Sequence, residues 1–135
     1  MNIQKIDHIA IAVSDLEKST ALYRDIFKLP YHGTQTLEGQ KVKVAFFTCG
    51  DTEIELVQAA APDAAVNRFI EKQGEGLYHI AFQVDDAAEA MQYLKEKGLK
   101  LGSEGPAPGA NETKVGFVRR SSTGGVIVEL VEHAE

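Results

Sequence analysis

The sequence predicts an α+β fold made of two similar halves, each running strand, helix and then several strands. Two repeats and one alternation predict it. His8-Ile9-Ala10-Ile11-Ala12-Val13-Ser14-Asp15 returns 71 positions later as His79-Ile80-Ala81-Phe82-Gln83-Val84-Asp85-Asp86, identical at five of the eight positions. Ile54-Glu55-Leu56-Val57-Gln58 returns 74 positions later as Val128-Glu129-Leu130-Val131-Glu132. Between them, β-branched runs alternate with stretches whose apolar residues recur at helical spacing. Self-similarity at a fixed period marks a duplicated structural unit. Each unit alone has about half a domain's core, so the two are expected to pack together.

The elements follow in order. Residues 6–13 read as a strand, with β-branched residues alternating with small ones. Ser14 or Asp15 caps the helix that follows, and Leu16, Ser19, Leu22, Tyr23, Ile26 and Phe27 give it an apolar face. Leu29-Pro30 ends it, because the residue before proline resists the helical conformation. Residues 42–49 and 53–58 read as two strands joined by a turn at Gly50-Asp51-Thr52. Residues 62–72 form a short helix with Val66, Phe69 and Ile70 on one side, stopped by Gly74 and Gly76. Residues 77–84 are the strand that opens the second half. Asp85-Asp86 starts its helix, which runs to Lys97 and stops at Gly98. Residues 102–113 read as a loop rich in Gly, Pro and Asn, and 114–119 and 126–131 as the last strands.

The bulk numbers exclude several classes. At 135 residues the chain is one domain's worth. Its 44% hydrophobic and 25% charged residues exclude a disordered chain and a coiled-coil rod. The formal charge of -6, with no block of Lys and Arg, excludes nucleic acid as the expected partner. No apolar run approaches the ~20 residues of a membrane span, so no membrane partner is expected. Cys49 is the only cysteine, so no internal disulfide and no thiolate cluster forms, which suits a cytoplasmic protein. The N-terminus lacks the pattern of a signal peptide.

The repeated residues point at chemistry. Side chains alternate along a strand. Ile9, Ile11 and Val13 therefore share the face that meets the helix, and His8, Ala10 and Ala12 share the other. In the second copy Ile80, Phe82 and Val84 pack inward while His79, Ala81 and Gln83 face away. Each histidine thus stands on a face of small side chains, with space expected beside it. Glu129 lies in an otherwise apolar strand, where an ionised and unpaired carboxylate is very unfavourable. No Lys or Arg lies in that strand, so a metal ion is the candidate counter-charge. His8, Glu55, His79 and Glu129, placed by one internal symmetry, make a joint ligand set. Four N/O donors suit an octahedral divalent ion with two open positions, such as Co²⁺, Mn²⁺, Ni²⁺ or Zn²⁺. His32, in an expected loop, and His133, in the tail, read as structural. Arg119-Arg120 reads as a solvated strand end or a phosphate contact. Gly105-Pro106-Ala107-Pro108-Gly109 lacks the ending of a P-loop.

These same stretches carry a resemblance. IDHIAIAVSDLEKSTALYRDIF, GDTEIELVQ, GEGLYHIAFQVDD and GGVIVELVE resemble the vicinal oxygen chelate superfamily over essentially the whole chain. The resemblance implies two tandem βαβββ modules forming a cupped, barrel-like sheet around a divalent metal held by His8, Glu55, His79 and Glu129. It implies one domain over 1–135, with a first module of about 1–60, a linker helix of about 62–73 and a second module of about 74–135. AVNRFIEKQGEGLYHIAFQVDD and PGANETKVGFV are similar to the methylmalonyl-CoA epimerases within it. That similarity implies 1,1-proton transfer at C2 of an acyl-CoA thioester through a metal-stabilised enolate. Glu129 is the implied catalytic group, Co²⁺ the first choice of ion, and a homodimer the implied assembly. Two features depart from the pattern. Some epimerases carry a glutamate in the strand of Val42-Lys43-Val44, and many have His-Pro near Arg119-Arg120-Ser121. The competing readings are a glyoxalase I-like lactoylglutathione lyase and a metal-free antibiotic-binding member.

Overall fold

The computed structural model describes residues 1–134. They fall into two compact units, one of His8–Tyr78 and one of Met1–Asp7 with the chain from His79 onward. Strand β1 (Ile3–Ala12) gives its first residues to the second of these and the rest to the first.

The unit of His8–Tyr78 carries α1 (Leu16–Ala21), β2 (Tyr31–Leu37), β3 (Val42–Cys49), β4 (Thr52–Ala59) and α2 (Ala65–Gln73). Its strands lie in the order β2-β3-β4-β1. β4 runs antiparallel to β3 and parallel to β1, so the strands that bear Glu55 and His8 are neighbours. The Ile11 and Val13 face packs against α1, in a cluster with Leu16, Ala45, Phe47, Leu56 and Tyr23. Asp15 caps α1 by accepting the Lys18 N–H at 3.1 Å. Gln58, at the end of β4, takes the Leu16 N–H at 2.6 Å. Gly50 turns the β3–β4 hairpin at a positive φ of 62°, and Cys49 pairs with Thr52 across it.

Three expectations change in this unit. The first helix gives way to a wider π turn over Leu22–Ile26, which rotates the apolar stripe off the core. Ile26 is left 71% exposed and Phe27 59% exposed. The stretch that holds His32 is a strand, not a loop, with Thr34 opposite Ala45 and Leu37 opposite Val42. The face that bears His8 is not open along its length. α2 lies on its far end, where Ala10, Ala12, Val42, Val44 and Val57 cluster with Val66, Phe69 and Ile70.

The unit of Met1–Asp7 with the chain from His79 onward carries most of β5 (Gly76–Val84), α3 (Ala87–Glu96), β6 (Ala107–Pro108), β7 (Lys114–Val118) and β8 (Ile127–Glu132). Its order β5-β8-β7-β6 repeats that of the other unit. β5 and β8 are parallel, and β8 and β7 antiparallel. Asp86 caps α3 through the Glu89 N–H at 3.0 Å. Glu132 takes the Ala87 N–H at 2.8 Å, the counterpart of Gln58 and Leu16 in the other unit. α3 covers one face of this sheet through Ala87, Ala90 and Met91 against Val84 and Leu130. Gly116 of β7 lets Met91 come close. The expected loop of 102–113 contains β6, which pairs with Lys114 and Val115.

Candidate metal centre

In the unit of His8–Tyr78, β1 and β4 run side by side with His8 opposite Glu53 and Ala10 opposite Glu55. Opposed residues share a face. Glu55 therefore lies on the face of His8, one step along the ladder, and the His8 Nδ1 to Glu55 Oε2 distance is 3.5 Å. On the other side of β4, Phe46 of β3 stands opposite Glu55. The carboxylate is thus bracketed by the small Ala10 and the broad Phe46. His8 is buried, and the Glu55 side chain is only 16% exposed.

In the other unit the same arrangement recurs. Ala81 of β5 stands opposite Glu129 of β8, and Phe117 of β7 stands opposite it on the far side. His79, two residues before Ala81, reaches Glu129 with 3.1 Å between Nε2 and Oε1. Both residues are buried, His79 at 8% and Glu129 at 6% exposure. The Phe117 ring meets the His79 ring edge to face, with centroids 5.5 Å apart and planes at 76°.

Each pair offers an imidazole nitrogen and a carboxylate oxygen from rigid strands, with no sulfur. That donor chemistry fits a divalent first-row ion held with open positions. A histidine and a carboxylate taken out of water together also avoid the cost of burying the carboxylate alone.

The other residues singled out in the sequence lie elsewhere. His32 is on β2, exposed, with Nε2 3.0 Å from the Thr48 hydroxyl. His133 follows β8 and pairs with the Asp7 carboxylate. Cys49 ends β3 and is exposed. The Arg119 Nε donates to the Leu101 carbonyl at 3.1 Å, and Arg120 opens the short turn Arg120–Ser122. Val42 and Val44 are buried in apolar packing while Lys43 is exposed, so this segment brings no carboxylate to the His8 face.

Phe46 and Phe117 were not singled out, although a signal for them exists. Lys43-Val44-Ala45-Phe46 and Lys114-Val115-Gly116-Phe117 stand 71 positions apart, the same period as the two histidines. The match is short and chemically bland, and only the ladder shows that each phenylalanine faces a glutamate.

The profile of the Glyoxalase/Bleomycin resistance protein/Dioxygenase superfamily matches residues 7–117. The chain belongs to this superfamily. YqjC, an uncharacterised protein of Bacillus subtilis, is 38% identical over 130 residues, 96% of this chain and 93% of its own length. The ethylmalonyl-CoA/methylmalonyl-CoA epimerase of Cereibacter sphaeroides is 35% identical over 130 residues, 95% of this chain and 97% of its own. The solved structure of a Streptomyces coelicolor methylmalonyl-CoA epimerase variant in complex with 2-nitronate-propionyl-CoA matches with a TM-score of 0.91 at 29% identity, covering 98% of this chain and 96% of that one. The α+β fold of this superfamily member is the fold of those epimerases, and the chain is an epimerase-like isomerase. No helix among its described residues is long and apolar enough to cross a membrane.

Proposed function

We propose that this chain epimerises methylmalonyl-CoA by 1,1-proton transfer at C2, with His8, Glu55, His79 and Glu129 holding one divalent ion, Co²⁺ by preference. The observation that supports this most is the His–Glu pair set at the same ladder position in both halves. The 35% identity to an ethylmalonyl-CoA/methylmalonyl-CoA epimerase supplies the substrate class.

When bound, such an ion supplies Lewis acidity toward the thioester carbonyl and the substrate carboxylate, which acidifies the C2 proton. The rest falls to the chain. His8 of β1 and His79 of β5 each offer an imidazole nitrogen beside a carboxylate, Glu55 and Glu129 respectively. Glu129 takes the C2 proton on one face of the substrate. Its place between Ala81 and Phe117 keeps bulk water from competing for that proton. A second group returns a proton on the opposite face. The strand in which some epimerases carry a glutamate reads Val42-Lys43-Val44 here, with both valines buried and Lys43 exposed, so that group stands elsewhere in the chain. An acyl-CoA thioester is the proposed partner, and a cytoplasmic homodimer completes the reading.

Proton NMR of methylmalonyl-CoA in D₂O, with enzyme loaded with Co²⁺, Mn²⁺, Ni²⁺ or Zn²⁺ in turn, tests it. Exchange of deuterium into C2 is expected. No exchange with any of the four metals refutes it, and lactoylglutathione formation from the hemithioacetal moves the assignment to a glyoxalase I-like lyase.

A further inference from the structure

The ring of Phe117 lies against a histidine of the proposed ligand set. It stands opposite Glu129 on the β7–β8 ladder and lies edge to face with His79. One residue thus faces both donors of this half. Opposed side chains on antiparallel strands sit about 5 Å apart at Cβ, close enough for one ring to limit the rotamers of its neighbour. The ring is anchored in turn. Phe117 packs on a small cluster of Ala81, Val115 and Val131, which fills the same face just beyond the glutamate. Gly116, on the opposite face, is held against Met91 of α3, so β7 has little freedom to move away from the pair. The arrangement recurs in the other half. Phe46 stands opposite Glu55 at the same ladder position and is 6% exposed within its own apolar cluster. Two halves with little else in common on β3 and β7 both keep a lysine, a valine and this phenylalanine.

We infer that Phe117 is a positioning residue, whose ring fixes the approach of the His79 imidazole and the Glu129 carboxylate to the metal, as Phe46 does for Glu55. A phenyl ring cannot ligate or move a proton. It sets which rotamers the donors adopt before the ion arrives, and it excludes water from the carboxylate. This rests on the metal reading of the preceding subsection.

The test is metal binding, measured apart from turnover. Wild type, Phe117→Ala and Phe117→Leu are stripped with chelator and titrated with Co²⁺, following affinity and the visible Co²⁺ absorption bands. Thermal unfolding of the apo-proteins is recorded alongside. Removing a group that orients a ligand from outside typically weakens binding by about 10- to 100-fold, and that loss is expected for Phe117→Ala. Its Co²⁺ bands should shift as well. Phe117→Leu keeps a wall without the ring and should recover part of the affinity. Phe117→Ala with wild-type affinity and wild-type bands overturns the inference, even if it melts earlier, because the ring is then only packing. If Phe117→Ala does not fold, the same comparison on Phe117→Leu decides, with unchanged affinity and bands again overturning it. A wild-type protein that binds none of the added Co²⁺ overturns the metal reading itself, which the titration separates from the first outcome.

Discussion

Alanine at position 116 should destabilise the protein, although alanine suits a strand better than glycine does. Gly116 lies in β7 on the face covered by α3. A Cβ added there would meet three atoms of Met91, with Cε at 2.8 Å, Cγ at 3.1 Å and Sδ nearer still. Carbon contacts are most favourable near 3.5–4.0 Å, so the methyl overlaps the thioether by roughly an ångström. Met91 is itself 1% exposed, boxed in by Val84, Ala87, Ala90 and Leu130, and has nowhere to swing. Overpacking of this kind costs about 1–3 kcal/mol. For a chain of this size that is roughly 4–12 °C in Tm. The background effect has the opposite sign, since replacing a glycine at an ordinary φ gains about 0.4–1 kcal/mol through the unfolded state. The two can be separated. In a Met91→Ala background the obstruction is gone, and Gly116→Ala should become neutral or mildly stabilising. Urea unfolding followed by circular dichroism on the four proteins gives the coupling directly, and about 1.5 kcal/mol or more is expected. A Gly116→Ala protein as stable as wild type, or one equally harmed with and without Met91, would show that the β7–α3 contact is not what requires glycine.

His79→Ala should abolish turnover and weaken metal binding while keeping the far-ultraviolet spectrum of wild type; an unfolded mutant would instead make the residue structural. Glu132→Ala removes the acceptor of the Ala87 N–H and should cost roughly 1–3 kcal/mol, as a lost hydrogen bond to a charged group. Gln58→Ala should cost less, about 1 kcal/mol, because a neutral amide serves the same N–H in α1. Equal losses in urea melts would contradict the difference. Asp63 is held below the usual carboxylate range by its hydrogen bond from Lys41. A lowered folded pKa gives stability that is present above the unfolded value of 3.8 and is lost as the pH falls through the folded one. Lys41→Met should therefore raise the Asp63 titration midpoint seen by NMR, and an unmoved midpoint would rule out the pair.

The two His–Glu pairs were legible because repetition marks them. A histidine beside Ile-Ala says little once and much more twice at one period. The strands that carry them were legible for the same reason, being β-branched and bounded by turn residues. What escaped was set by partners. Tyr31–Leu37 has Gly33 and a polar Thr-Gln-Thr run that reads as loop, yet β3 pairs with it and Phe47 meets Tyr31 at 5.2 Å. The π turn escaped because an apolar residue at i+4 suits both windings, and it is the Phe27 N–H bonding back five residues to the Leu22 carbonyl that shows which one the chain takes. Cover over Ala10 and Ala12 escaped because small residues on a face signal closeness, and the sequence does not say to what. Here it is α2 that comes close, through Val66.

The division of β1 between the two units has a consequence for synthesis. Every residue of one unit lies within His8–Tyr78, so its contacts can form once that stretch has left the ribosome. The residues before it wait. Gln4 bonds to Gln83 and Asp85, and Asp7 to His133, which is 126 positions downstream. Residues 1–7 are thus among the last to be placed, and the tie of Asp7 to His133 closes one of the longest loops in the chain.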